Sequence, residues 1–264
     1  MYTITINGGQ LTFDDQGLDH GPAILLLTGW GHDHRVYDEL LPYLVPHHRV
    51  LRMDWRGHGI DRTAVADFGL VEQVSDVIGF LDALGVESIV PVAHAHAGWP
   101  ALEIADRLGA ARVPGVVIVD LIMSEAPSEF LSGIRAFRDP LRWQSSRLDF
   151  LHAWLAGSGN AAVNRHIRCE MGGFGFDVWA RAGRIIEDAY TTWGSPMSRM
   201  EKLTEPRRVH HIFCRPERTA YDDLHEEFQS RNPWFSYARL CGTTHFPQLE
   251  LPAQVAEEIT NLLS

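Results

Sequence analysis

Cysteine is scarce. The 264-residue chain carries three, Cys169, Cys214 and Cys241. They are odd in number and scattered, so they offer neither a disulfide framework nor a zinc spacing, and they suit reduced thiols in a cytoplasmic protein. No apolar run is long enough to cross a bilayer. No basic segment leads an apolar run at the N-terminus, so nothing reads as a signal peptide. Basic clusters are missing too. With a net charge of −11, neither nucleic acid nor a membrane is an expected partner. Lysine occurs once, at Lys202; the other cations are arginines, and no function attaches to that. Internal repeats and low-complexity tracts are absent. The length suits one large α/β domain with a lid and a sizeable core.

What the chain does have is an ordered alternation of strand and helix signals. Tyr2–Ile6 alternates, Asn7-Gly8-Gly9 marks a turn, and residues 10–14 alternate again, which reads as a hairpin. Ala23–Leu27 is short and continuously apolar, as in a strand buried on both faces. A glycine loop follows, Thr28-Gly29-Trp30-Gly31-His32-Asp33, whose glycines let backbone approach a ligand. The pattern predicts a helix over 36–44, a strand over 48–53, a helix over 70–84 closed by Gly85, and buried strands over 88–92 and 113–120. From 124 to 205 the strand signal disappears, and helical segments rich in large aromatics take over. Strands return over 209–214 and 234–239, with helices over 221–230 and Pro252–Leu263. The expected fold is a doubly wound, mostly parallel sheet. Residues 1–123 and 206–264 form the expected core, and 124–205 a helical cap inserted after the sixth strand.

The chain is organised around Val90-Pro-Val-Ala-His-Ala-His-Ala-Gly-Trp99. A buried strand turns sharply into a helix through the small residues Ala93, Ala97 and Gly98. That is the form of the nucleophile elbow of α/β-hydrolases. Its apex here is Ala95, which has no nucleophile. His94 and His96 flank it, one expected toward the pocket and the other beneath it. In this fold the loop after the third strand supplies oxyanion-hole N–H groups, which brings in Trp30 and His32. Asp54-Trp55-Arg56-Gly57-His58-Gly59 reads as a structural glycine turn.

His245 lies in the Gly/Thr loop between the last strand and the last helix, where this fold delivers its base; the bland alternative is a surface histidine. A base needs an orienting acid. Asp120, at the end of an apolar strand, is the stronger candidate, and Glu217 the weaker. His94-x-His96 and His32-x-His34 could be read as metal-ligand pairs, but residues two apart on an elbow do not obviously converge. No metal is expected.

These residues resemble one branch of the α/β-hydrolases, the cofactor-independent 2,4-dioxygenases of 3-hydroxy-4(1H)-quinolones, some of which degrade the quinolone signal of Pseudomonas. The resemblance covers most of the chain. It is specific in Gly29-Trp-Gly-His-Asp-His-Arg-Val-Tyr37, in His94-Ala-His-Ala-Gly-Trp99 and in Thr244-His-Phe-Pro247. It implies His245 as base, Asp120 as its acid and Trp154 as a cap tryptophan near the substrate. Trp30, His32, His94, Ala95 and His96 would bind substrate or stabilise an oxyanion. It further implies a quinolone and O₂ as substrates, carbon monoxide and an N-acylanthranilate as products, and no cofactor. One departure stands out: the family carries serine at the apex, and here it is Ala95, either the chain's own residue or a replaced serine. Two rivals remain: another enzyme of this fold that works without a nucleophile, such as a lyase, and a silent ligand-binding protein. The sequence leaves the oligomeric state open.

Overall fold

The structure, a computed structural model, describes residues 1–18, 20–60, 65–216 and 218–263. Eight strands form one sheet in the order β1-β2-β4-β3-β5-β6-β7-β8. They are β1 (Tyr2–Ile6), β2 (Gly9–Gly17), β3 (Ala23–Leu27), β4 (Arg49–Asp54), β5 (Ile89–His94), β6 (Gly115–Val119), β7 (Arg208–Phe213) and β8 (Phe235–Arg239). β1 and β2 form the antiparallel hairpin, and β2 joins β4 antiparallel. From β4 onward all neighbours are parallel. The first helices are α1 (Leu41–Leu44), α2 (Leu70–Ala83) and α3 (Gly98–Arg112). Between β6 and β7 the described residues carry helices: α4 (Ser128–Ala136), α5 (Trp143–Leu155), α6 (Ala161–Arg165), α7 (Phe176–Trp193) and α8 (Pro196–Met200). α9 (Thr219–Arg231), α10 (Pro247–Glu250) and α11 (Pro252–Leu263) complete the chain.

Strand alternation divides the core between the two faces of the sheet. Ile24 and Leu26 pack with Val255, Ile259 and Leu262 of α11. Leu25 and Leu27 pack with Val77 and Phe80 of α2 and Leu102 of α3. Both faces are therefore covered, which is why β3 and β6 read as unbroken apolar runs.

The helix expected over 36–44 is instead two pieces, a 3₁₀ turn at His34–Tyr37 and the short α1. Pro42 is the reason: it has no N–H to continue the helical ladder. The regular part of α3 stops where Gly109 takes φ +74°. Among the described residues no helix is long and apolar enough to cross a membrane.

Register puts the site at one edge of the sheet. Leu27 lies level with Met53 and Ala93, and Val119 level with His94 and Ile212. The loops after β3, β5 and β6 therefore leave the sheet side by side. The helical insert follows β6, so it starts at the same edge.

Candidate active site

The apex of the elbow is Ala95, at φ +51°. A left-handed backbone costs an L-residue about 1–2 kcal/mol, so packing must hold it there. Ala93 and Ala97 are buried. A Cβ on Gly98 would meet Leu121 Cδ2 at 2.7 Å, so a larger residue would have to displace the buried Leu121. The glycine loop crosses close by: a Cβ on Gly29 would lie 3.3 Å from Ala95 Cβ. Tyr37 fastens the two loops, donating its hydroxyl to the Leu27 carbonyl (2.7 Å) and accepting the His94 N–H (3.1 Å). Asp54 accepts the His34 backbone N–H at 2.6 Å and its ring Nδ1–H at 2.8 Å. Trp55 Nε1 donates to the Thr28 carbonyl at 2.7 Å. The glycine turn after β4 thus anchors the loop that faces the apex.

Asp120 follows β6 directly and also sits at positive φ, +52°. Its Oδ1 lies 2.7 Å from His245 Nδ1, and its Oδ2 accepts the Cys214 backbone N–H at 3.1 Å. A carboxylate can only accept, so His245 donates from Nδ1 and Nε2 carries the lone pair. The loop bearing His245 is clamped on several sides. Glu250 accepts from the backbone N–H and hydroxyl groups of both Thr243 and Thr244 at 2.7–3.0 Å. Burial opposes ionisation of Glu250, but these hydrogen bonds outweigh it and hold the carboxyl below its usual range. His94 Nε2–H donates to the His245 carbonyl at 2.9 Å. Trp154 of α5 stacks on the His245 ring, 5.4 Å between centroids and 15° between planes.

Trp30, His32, Ala95, His96, Asp120, Trp154 and His245 line one cavity of about 620 Å³, within the range of roughly 300–1,000 Å³ usual for small-molecule sites. His94 is the exception among the candidates. It is fully buried under the elbow and supports the His245 loop, so it is not a cavity-lining residue. His96 is the flanking histidine that reaches the cavity, stacked on Phe130 at 5.5 Å. Glu217 lies outside the described residues. His34 is tied to Asp54 and His94 to a carbonyl, and among the described residues no group of three or more His, Cys, Asp or Glu side chains could hold a metal.

The Alpha/beta hydrolase family model matches residues 24–258. A 2-heptyl-3-hydroxy-4(1H)-quinolone dioxygenase of Mycobacteroides abscessus is 56% identical over 99% of this chain and 97% of its own length. A 1H-3-hydroxy-4-oxoquinoline 2,4-dioxygenase of Pseudomonas putida is 35% identical over 100% of this chain and 99% of its own. The chain belongs to the 3-hydroxy-4-quinolone dioxygenase branch of the α/β-hydrolase family. A solved structure of AqDC, described as recognising and ring-cleaving the Pseudomonas quinolone signal and holding its product, matches at TM-score 0.97 and 56% identity. That match covers 100% of this chain and 99% of that one.

In this family member three buried histidines in and under the cavity are held below the ordinary histidine range. His32 and His94 are pushed well below the ordinary histidine range, first by burial and then by neighbouring histidines. His96 is pushed down to about 3 by burial and by His245. They can donate or accept hydrogen bonds without adding charge. Two residues that sequence reasoning missed join the site from the insert. His166 Nε2 lies 2.8 Å from His32 Nδ1, and Glu170 Oε2 lies 2.5 Å from His166 Nδ1. The one available signal was their four-residue spacing, which puts two side chains on one helical face.

Proposed function

We propose that this protein is a ring-cleaving 2,4-dioxygenase of 3-hydroxy-4(1H)-quinolones with a 2-alkyl substituent. The observation that carries the reading is the His245–Asp120 pair, which opens onto a cavity whose elbow apex has no hydroxyl. Acyl-enzyme chemistry has no nucleophile there, yet a base oriented by its acid remains.

His245 Nε2 removes the proton of the 3-hydroxyl, while Asp120 fixes the tautomer and balances the imidazolium. General base catalysis of this kind is worth about 10²–10⁴ in rate. The substrate anion supplies the electrons that reduce O₂, so the reaction as written calls on no redox cofactor. Oxygen adds at C2, the peroxide closes on C4, and the ring opens. C3 leaves as carbon monoxide and the remainder is an N-acylanthranilate. Backbone N–H groups of Trp30 and His96, in the two loops that meet at the apex, are the assigned oxyanion donors.

Ile122, Pro127, Phe130, Phe150 and Leu224 give the cavity an apolar limb. Each buried CH₂ of an alkyl chain is worth about 0.8 kcal/mol there. We assign residues 124–205 as the cap that excludes water from the anion. The three free cysteines support a reducing, cytoplasmic setting. The cellular role that follows is removal of an alkylquinolone signal, that is, quorum quenching.

The test is to mix the protein with 2-heptyl-3-hydroxy-4(1H)-quinolone with and without O₂, following absorbance and trapped carbon monoxide. Oxygen-dependent loss of quinolone with matching carbon monoxide is expected. Tight binding without turnover would make the protein a silent binder and sink the reading.

A further inference from the structure

The cavity is reached by a second line of titratable groups that the base–acid pair does not use. It runs from His32 in the glycine loop, through His166, to Glu170 in the insert. All three are buried, at 2%, 1% and 7% exposure. His166 and Glu170 occupy a π-helical turn, His166–Glu170, a rare form that recurs at functional sites. The rings of His32 and His166 stack at 5.1 Å, 15° apart.

For a resting line with neutral rings, the hydrogen-bond inventory assigns the protons. A carboxylate accepts only, so His166 donates from Nδ1 to Glu170. With His166 neutral, its Nε2 can only accept, and His32 must donate to it from Nδ1. The His32 nitrogen left for the cavity, Nε2, is then a bare lone pair. His245 reaches the same state by a single step from Asp120. Two of the cavity imidazoles are therefore set as acceptors, one by a carboxylate directly and one through an intervening ring.

The proposed reaction gives this second acceptor a task. A neutral quinolone becomes an anthranilate, whose carboxylic acid ionises at neutral pH, so each turnover leaves a proton in a buried site. We infer that His32, His166 and Glu170 carry that proton out of the cavity, with His166 and Glu170 as positioning residues for His32. The inference rests on the dioxygenase reading. A proton arriving at His32 Nε2 from the His245 imidazolium, by way of water, releases the Nδ1 proton to His166 Nε2. His166 becomes an imidazolium beside the Glu170 carboxylate; no electron is transferred, because the His32 Nε2 lone pair forms the new N–H bond and the broken Nδ1–H bond leaves its pair on Nδ1.

The surroundings fit the direction of travel. Burial first, then His166, His94, His245 and His58, hold His32 well below the ordinary histidine range, so a charge residing there is resisted. Glu170 faces Arg35 and Asp33, and its Oε1 lies 3.6 Å from Nε of the half-exposed Arg165. Burial opposes its ionisation, but His166 and Arg35 outweigh that and hold it below the usual carboxylate range. The line thus starts where charge is disfavoured and ends near the surface, where it is balanced.

The experiment has two arms. In the first, ¹⁵N-histidine NMR of the unmodified protein reads the tautomer of His32. An Nδ1–H, bare-Nε2 ring is expected; a proton on Nε2 in the resting protein overturns the inference. This arm needs no substrate, so it stands even if the dioxygenase reading fails. In the second, Glu170→Gln removes the charge and keeps an acceptor. Loss of a hydrogen bond to a charged group is worth roughly 10- to 150-fold, and here it is expected in steady-state kcat and in proton release to a pH indicator. KM and the first turnover, which depend on His245 and Asp120, are expected to hold. Glu170→Asp should restore most of kcat. Equal slowing of first and later turnovers, or an unchanged kcat, overturns the inference. Absence of any first turnover in the unmodified protein would instead count against the dioxygenase reading.

Discussion

Asp120→Asn separates an orienting carboxylate from a merely polar one. Asp120 serves two donors, His245 Nδ1–H at 2.7 Å and the Cys214 backbone N–H at 3.1 Å. Asparagine has one oxygen and one NH₂ to offer them. With its oxygen on His245, its NH₂ would face the Cys214 N–H and leave a buried donor unpaired. That costs about 1–3 kcal/mol, and at 1.4 kcal/mol per factor of ten it is roughly a 5- to 150-fold preference for the flipped amide. Flipped, the NH₂ donates to His245 Nδ1, and the ring must carry its proton on Nε2. That tautomer cannot take a proton from the substrate. Loss of the carboxylate also removes the charge that balances the imidazolium. Together they should reach the general-base range, about 10²–10⁴. Asp120→Ala frees the ring to adopt either tautomer, so it should lose less than Asp120→Asn. Single-turnover rates across pH are the assay. The deficit should shrink in alkali, where the 3-hydroxyl ionises unaided. An Asn variant as fast as the Ala variant, or a deficit constant into strong alkali, would refute the tautomer argument.

Ala95→Ser should change quinolone turnover modestly, by orientation alone, and the unsubstituted protein should give no acyl-enzyme burst with p-nitrophenyl esters. A gain of many orders of magnitude would assign the hydroxyl an essential role. Exhaustive chelation should leave turnover intact; loss of activity restored by one metal would overturn the cofactor-free chemistry. His32, His94 and His211 are fully or almost fully buried and held well below the ordinary value of 6.5. As pH falls below that value the unfolded chain binds protons that the native one refuses, so stability falls with pH. Each such histidine contributes at most about 1.4 kcal/mol per pH unit, and chemical denaturation from neutral to mildly acid pH reads the slope. Gly183→Ala should destabilise the insert by about 1–3 kcal/mol, because its Cβ would collide with the Ile134 carbonyl oxygen of α4; a thermal melt unchanged from the parent would refute that packing.

Much of the fold was legible because burial writes itself into composition. Ala23–Leu27 and Gly115–Val119 lie between two covered faces, and their unbroken apolar runs said so. Ala93, Ala97 and Gly98 announced the elbow because its backbone is closely packed. Asp120 stood out as a carboxylate ending an apolar strand. Other features were not written locally. His94 lies under the elbow and His96 reaches the cavity, on either side of the turn at Ala95, and sequence does not state which faces which way. The His32–His166 contact spans 134 positions and has no local signature. The break at Pro42 was visible, but the apolar spacing around it outweighed the missing N–H.

The base and the second histidine are fastened to different parts of the molecule. His245 is held by Asp120, by His94 beneath it and by Glu250, all outside the insert; from the insert it receives the ring contact of Trp154. His32 depends on the insert for its hydrogen-bonded partner. Opening of the insert to admit a ligand, on the microsecond-to-millisecond scale usual for such motions, would leave the His245–Asp120 hydrogen bond made and break the His32–His166 one. The site would then be half built in its open form and completed on closing. A ligand that holds the insert shut would stabilise the outer half of the machinery as well as itself.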